Sequence, residues 1–177
     1  MLERLHLTEG QWRRIGKWSS YTILFIVTMM IQTVCLGNAP IFGVQLSFLP
    51  ILVCCVCLRE KPESGGIFAL WMSCLWCLSG ADYGSVSILV WTAVGMGLSI
   101  LCQIWINGRI LTCALCCLLM SFANETVIFL GKNMFDGVPS RYFVSKTLPC
   151  VALSMVAFPV FYWLVKRISR IGGSYGA

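Results

Sequence analysis

Apolar runs, broken at short intervals by Gly, Pro, Asn and charged residues, set the pattern of this chain. A helix that crosses a bilayer needs ~20 mostly apolar residues. Six runs approach that length: residues 19–36, 41–58, 66–79, 85–106, 110–130 and 147–165. The third is the shortest, at 14 residues. It either extends into 80–83 or lies as a re-entrant or thin-side helix, because unpaired backbone facing lipid costs several kcal/mol per group. The breaks are Gly37-Asn38-Ala39-Pro40, residues 59–65, residues 80–84, Asn107-Gly108-Arg109 and residues 131–146. Such short, turn-forming connections place sequence neighbours side by side as antiparallel pairs. Pro50 and Pro159 fall inside runs, where a missing N–H predicts kinks.

Composition turns these runs into a fold class. Of 177 residues, 58% are hydrophobic and 11% charged, and the mean hydropathy is +0.83. A soluble domain needs more polar surface than that to cover its core. The expectation is an all-α membrane protein, a compact bundle of about six transmembrane helices. Residues 1–18 form an amphipathic cytoplasmic lead, 19–165 the bundle and 166–177 a basic cytoplasmic tail. No stretch of ordinary soluble composition leaves room for a large extramembrane domain.

Lys and Arg give the bundle a direction. With the N-terminus inside, the inner segments hold Arg4, Arg13, Arg14, Lys17, Arg59, Lys61, Arg109, Lys166, Arg167 and Arg170, and the outer ones Lys132, Arg141 and Lys146. Ten against three favours six spans over five, which would put basic clusters on opposite sides. The site predicted is a cytoplasmic membrane with both termini inside. Cations that flank apolar runs match a headgroup layer, so membrane lipid is an expected partner and nucleic acid is not. No small-x-small site follows the first run, which is read as a retained helix.

Ahead of that run, Thr8 and Gln11 have capping-box spacing, followed by Trp12, Arg13, Arg14, Ile15, Lys17 and Trp18. The lead is read as a topology anchor continuing into the first span, with a docking helix for a partner as the sharper alternative. Residues 131–146 are the one outer segment with room for structure: a connector, or a short interfacial helix or lid. Within it Lys132, Phe135, Arg141, Tyr142 and Lys146 are candidate outer-side partner contacts.

Candidate chemistry is sparse. Eleven cysteines include two C-x-x-C pairs, Cys74/Cys77 and Cys113/Cys116, and the sole histidine is His6. Thiols in apolar helices stay protonated and act as small hydrophobes, so packing is their expected role, with no cofactor or metal. The sequence holds no H-E-x-x-H and no phosphate-cradling glycine loop, so no enzyme is expected. Glu125 is the only acidic residue within a run. A charge near the bilayer centre costs ~3 kcal/mol or more, so it should face the interior. Measured along the helices, Gln32, Gln45, Asn124 and Glu125 share the outer half and form a candidate polar layer. That layer is either a hydrogen-bond network between helices, the preferred reading, or a small-solute pocket or partner contact. Asn124 is placed on a different part of the helix surface from Glu125.

These residues resemble the MreD family of bacterial rod-shape membrane proteins. The resemblance is clearest from Leu49-Pro50 through Gly65-Gly66 to Gly80-Ala81-Asp82-Tyr83-Gly84. A proline-bearing second span, a Gly-led third span ending in a G-x-x-x-G turn, Gly95 and Gly97 in the fourth, and the tail Lys166-Arg167-Ile168-Ser169-Arg170 carry it. Trp76 and Met72 stand where the family has an Asp and a Gly. The resemblance implies a non-enzymatic partner of a single-span MreC-like protein and of other cell-wall elongation proteins, organising peptidoglycan synthesis. It also implies an architecture similar to the S-components of energy-coupling-factor vitamin transporters, which are the alternative function. The first span lacks the A-x-x-x-A pair typical of those proteins.

Overall fold

The computed structural model describes residues 9–36, 46–80, 84–105, 110–139 and 141–171. Six helices run through them, and no strand occurs among the described residues. Helix α1 (Glu9–Met30) continues as a π-helical turn, Ile31–Leu36. Then come α2 (Leu49–Arg59), α3 (Pro62–Leu78), α4 (Gly84–Trp105) and α5 (Ile110–Asp136). The last helix, α6, covers 143–171 and changes its winding twice. The lead from Glu9 and the first apolar run form one continuous helix. Thr8 lies outside the described residues.

Helix α2 is the axis of the fold. It is apolar all round, with no polar side chain before Arg59, and a helix without a polar face is stable only when surrounded. Every residue from Leu49 to Cys57 is buried, against α3, α4, α5 and α6, with α1 on the remaining side. The second run therefore differs from its expected extent. The helix does not fill residues 41–58 but starts at Leu49, because Pro50 sits in the first turn, where its missing N–H costs nothing. Pro50 begins a helix rather than kinking one. Eleven residues span about 16 Å, half of a ~30 Å hydrocarbon layer.

The third run errs in the other direction. Helix α3 opens at Pro62, again proline in the first turn, and reaches 17 residues. Helix α5 runs past the expected end of its span to Asp136. Gly137 stops it, with φ +65°, a left-handed conformation that glycine adopts without strain. The segment 131–146 is therefore mostly helix: Lys132 and Phe135 lie on the last turns of α5, and Lys146 on the first turn of α6. Within α6 each change of winding precedes a proline. Residues Phe143–Thr147 are π-helical before Pro149, and Met155–Ala157 are 3-10 before Pro159. A proline ring clashes with the carbonyl four residues back, and the backbone relieves this by loosening or tightening a turn.

Glycines let the other helices close on α2. A Cβ on Gly65 would sit 3.0 Å from Cys57 Cα, and one on Gly95 would sit 3.3 Å from Cys57 Sγ. Gly97, two residues on, faces open space. Ser99 Oγ donates to the Cys57 carbonyl at 2.7 Å, and the Cys57 thiol donates to the Gly65 carbonyl at 3.3 Å. Small residues at helix contacts are the usual means of close packing in membranes. The outer surface is apolar: Leu111, Leu115 and Leu119 of α5 and Val156 and Val160 of α6 are all exposed. The segments Ser85–Gln103, Ile110–Asp136 and Phe143–Arg170 are each long and apolar enough to cross a membrane.

Candidate functional site

Both ends of the buried α2 are tied by polar side chains from its neighbours. The N-terminal end holds the predicted polar layer. A helix begins with backbone N–H groups that have no partner within the helix, and here that end is enclosed by the bundle. The π-helical turn at Ile31–Leu36 places Gln32 beside it. Gln32 Oε1 accepts from the amides of Phe48 at 2.9 Å and Leu49 at 3.3 Å. The amide of Ser47 donates to Ser154 Oγ of α6 at 3.0 Å. Three orphan donors are thus met by side chains from two other helices.

Asn124 and Glu125 bring α5 into the same layer. Asn124 is buried, and its Oδ1 accepts from Trp91 Nε1 at 2.7 Å and from Ser87 Oγ at 3.3 Å, both on α4. Its Nδ2 donates to Glu125 Oε1 at 3.4 Å. The two residues do not point apart, as successive helix positions had implied. Their side chains meet. The Glu125 carboxylate also interacts with Ser47 and lies in the field of Lys132, and Cys150 stands beside it. A carboxylate at the start of α2 opposes the positive end of that helix's dipole. Two hydroxyls on α5, Ser121 Oγ and Thr126 Oγ1, are buried without a hydrogen-bond partner.

The structure therefore brings Gln32, Asn124 and Glu125 around one helix end, while Gln45 lies outside the described residues. Ser47, Ser87, Trp91 and Ser154 complete the layer and were not anticipated. Trp91 carried a signal, since an indole N–H inside an apolar run needs an acceptor. Of the outer-side contacts, Phe135, Arg141 and Tyr142 are exposed at the tip of the α5–α6 hairpin. Lys132 and Lys146 are half-buried. Phe143 packs on Phe122 and Phe129, with ring centroids 5.9 and 5.1 Å apart, and zips the hairpin together.

The C-terminal end of α2 is held by charge. Lys17 Nζ lies 2.8 Å from Glu60 Oε2, and Tyr21 donates to Glu60 Oε1 at 3.0 Å. Arg59 donates to the Tyr162 hydroxyl at 2.7 Å and stacks 4.9 Å from its ring. Gln103 reaches the Glu60 carbonyl at 3.4 Å. The start of α1 and the ends of α2, α4 and α6 therefore gather at one end of the bundle, the end that carries the basic clusters. Arg59 and Lys17, expected as orientation charges and Lys17 also as part of the lead, here tie α2 in place as well, and Glu60 joins them unanticipated.

The cysteines pack as expected of small hydrophobes. Of the ten cysteines whose side chains are described, eight are buried and all are free thiols, with Cys55 and Cys117 Sγ 3.6 Å apart. The chain matches no protein-family model, no curated protein and no solved structure.

Proposed function

We propose that the chain is a non-enzymatic membrane subunit of the rod-shape system, which organises cell-wall synthesis by binding a MreC-like single-span protein. In this reading all six helices lie in a bacterial cytoplasmic membrane, with α2 as a half-length strut and both termini in the cytoplasm. The observation that carries it is how the interior polar groups are used. Gln32 and Ser154 satisfy backbone amides at the start of α2, and Asn124 satisfies Trp91 and Ser87. Groups committed in this way serve to hold helices together. What stays outward is the apolar shell and the hairpin tip with Met134, Phe135, Arg141 and Tyr142, a surface for other chains. The resemblance supplies the identity of the partner. The test is affinity capture of the tagged chain from its own membranes: a single-span protein should co-purify, and Phe135→Asp should release it.

One observation favours the vitamin-transporter alternative. Ser121 and Thr126 are buried hydroxyls with no partner, next to Glu125, and a solute would satisfy them. That reading predicts that Thr126→Val lowers vitamin uptake by cells without changing the melting temperature of the purified chain.

A further inference from the structure

The second half of α6 presents two opposite faces. Phe161 and Val165 are in the core, while Val156, Val160, Trp163, Arg167 and Arg170 are exposed on the other side. Steps of three and four residues keep these five on one stripe of the helix. The stripe changes character along its length. It is apolar at Val156 and Val160, aromatic at Trp163 and cationic from Lys166 onward. At the cationic part the side chains enclose a groove of about 260 Å³ lined by Trp163, Lys166, Arg167 and Arg170. The Arg167 guanidinium lies 4.8 Å from the Trp163 ring centroid, and Lys166 Nζ lies 6.0 Å from that of Tyr162. Aromatic faces thus hold two of the three cations in place. Among the described residues no carboxylate lines the groove.

We propose that this groove binds the headgroup of an anionic phospholipid. The proposal rests on the reading of the chain as a membrane protein. Three cations and no acid call for an anionic ligand. The groove is slightly smaller than the ~300–1,000 Å³ of ordinary ligand sites, which suits one phosphate-bearing headgroup. A free anion would leave the apolar part of the stripe unused. From Val160 to Arg170 the helix rises about 15 Å, so a phosphate at Arg167 and Arg170 directs its acyl chains along Val160 and Val156. Trp163 then sits at headgroup depth, where Trp is enriched. A basic pocket beside a spanning helix is a recurring form of lipid-headgroup site.

The experiment is native mass spectrometry of the full-length chain in detergent, titrated with phosphatidylglycerol, with phosphatidylcholine of the same acyl chains, and with inorganic phosphate. Phosphatidylglycerol should form a discrete one-to-one adduct, and the other two should not. Near an anionic surface each Lys or Arg contributes about 1 kcal/mol, so Arg167→Gln/Arg170→Gln should weaken the adduct roughly 30-fold. Arg13→Gln/Arg14→Gln removes the same charge at the same end of the bundle and should change it less than about twofold. Arg167→Lys/Arg170→Lys keeps the charge and should retain most of the binding, which separates loss of a site from loss of fold. Equal weakening by both Gln pairs, or equal adducts with phosphatidylcholine, overturns the proposal. Phosphate binding as tightly as the lipid overturns it in favour of a soluble-anion site. No partner protein is present in the assay, so its failure leaves the rod-shape reading standing, and failed capture of a partner leaves the lipid site standing.

Discussion

The two ends of α2 solve one problem in different ways. Each end of a helix leaves backbone groups unpaired, and α2 is too short to carry either of them clear of the bundle. The C-terminal end lies at the basic rim and is held by formal charges: Glu60 between Lys17 and Tyr21, and Arg59 on Tyr162. The N-terminal end lies deeper and is held mainly by neutral groups, Gln32, Ser154 and Asn124, with Glu125 the single ionisable member. A charge pair can be removed as a unit at little net cost, even one as shielded as Lys17 and Glu60, whose side chains are 12% and 10% exposed, whereas an unmet polar group in an apolar interior costs its whole desolvation. The deep end should therefore be the fragile one, although it carries fewer charges.

The largest expected effect is at Glu125. Glu125→Lys sets a cation beside the start of α2 and within the field of Lys132, and should cost ~3 kcal/mol or more, seen as loss of folded protein in size-exclusion profiles. Glu125→Gln keeps the hydrogen bonds and should fold. Equal yields and equal melting of the two would remove the carboxylate from the layer. Next comes Gly65→Ala, whose Cβ meets backbone rather than a movable side chain. It should cost ~1–3 kcal/mol in thermal melts, while Gly97→Ala should be close to neutral.

Gln32→Leu leaves two amides without an acceptor and should cost ~1–2 kcal/mol. Gln32→Glu restores an acceptor and should recover most of the loss. The smallest effect belongs to the rim. Lys17→Met/Glu60→Gln, which removes both charges and leaves Tyr21 an acceptor, should cost ~1 kcal/mol or less in thermal melts, whereas Lys17→Met alone strands a largely buried carboxylate and should cost more. If Lys17→Met/Glu60→Gln proved more damaging than Gln32→Leu, the contrast between the two ends would be reversed.

Six helices were legible in the sequence because six apolar runs of 14 to 22 residues stand between breaks that each hold a Gly. Their boundaries were less so. Pro50 was read as a kink within a span, and only the burial of all faces of α2 shows that it begins a half-length helix. Gly137 was one of several breakers in 131–146, and nothing local singled it out as the residue that would adopt positive φ. The layer was visible as polar letters in apolar runs, so Gln32, Asn124 and Glu125 were found. What they bind was not visible. The target of Gln32 is a backbone amide, which no side-chain pattern records, and the partners of Asn124 lie more than 30 positions away on α4. Glu60 was hidden by its place between Arg59 and Lys61 in a connecting segment.

The central claim is that the interior polar groups serve the chain's own architecture, so that its function lies on its outer surface as a subunit. Native mass spectrometry of the tagged chain, released from its own membranes in mild detergent, tests this most directly. The account predicts a complex whose extra mass is a single-span polypeptide, unchanged in amount by Thr126→Val. A chain that carries no protein partner but one stoichiometric vitamin, lost in Thr126→Val, would contradict it.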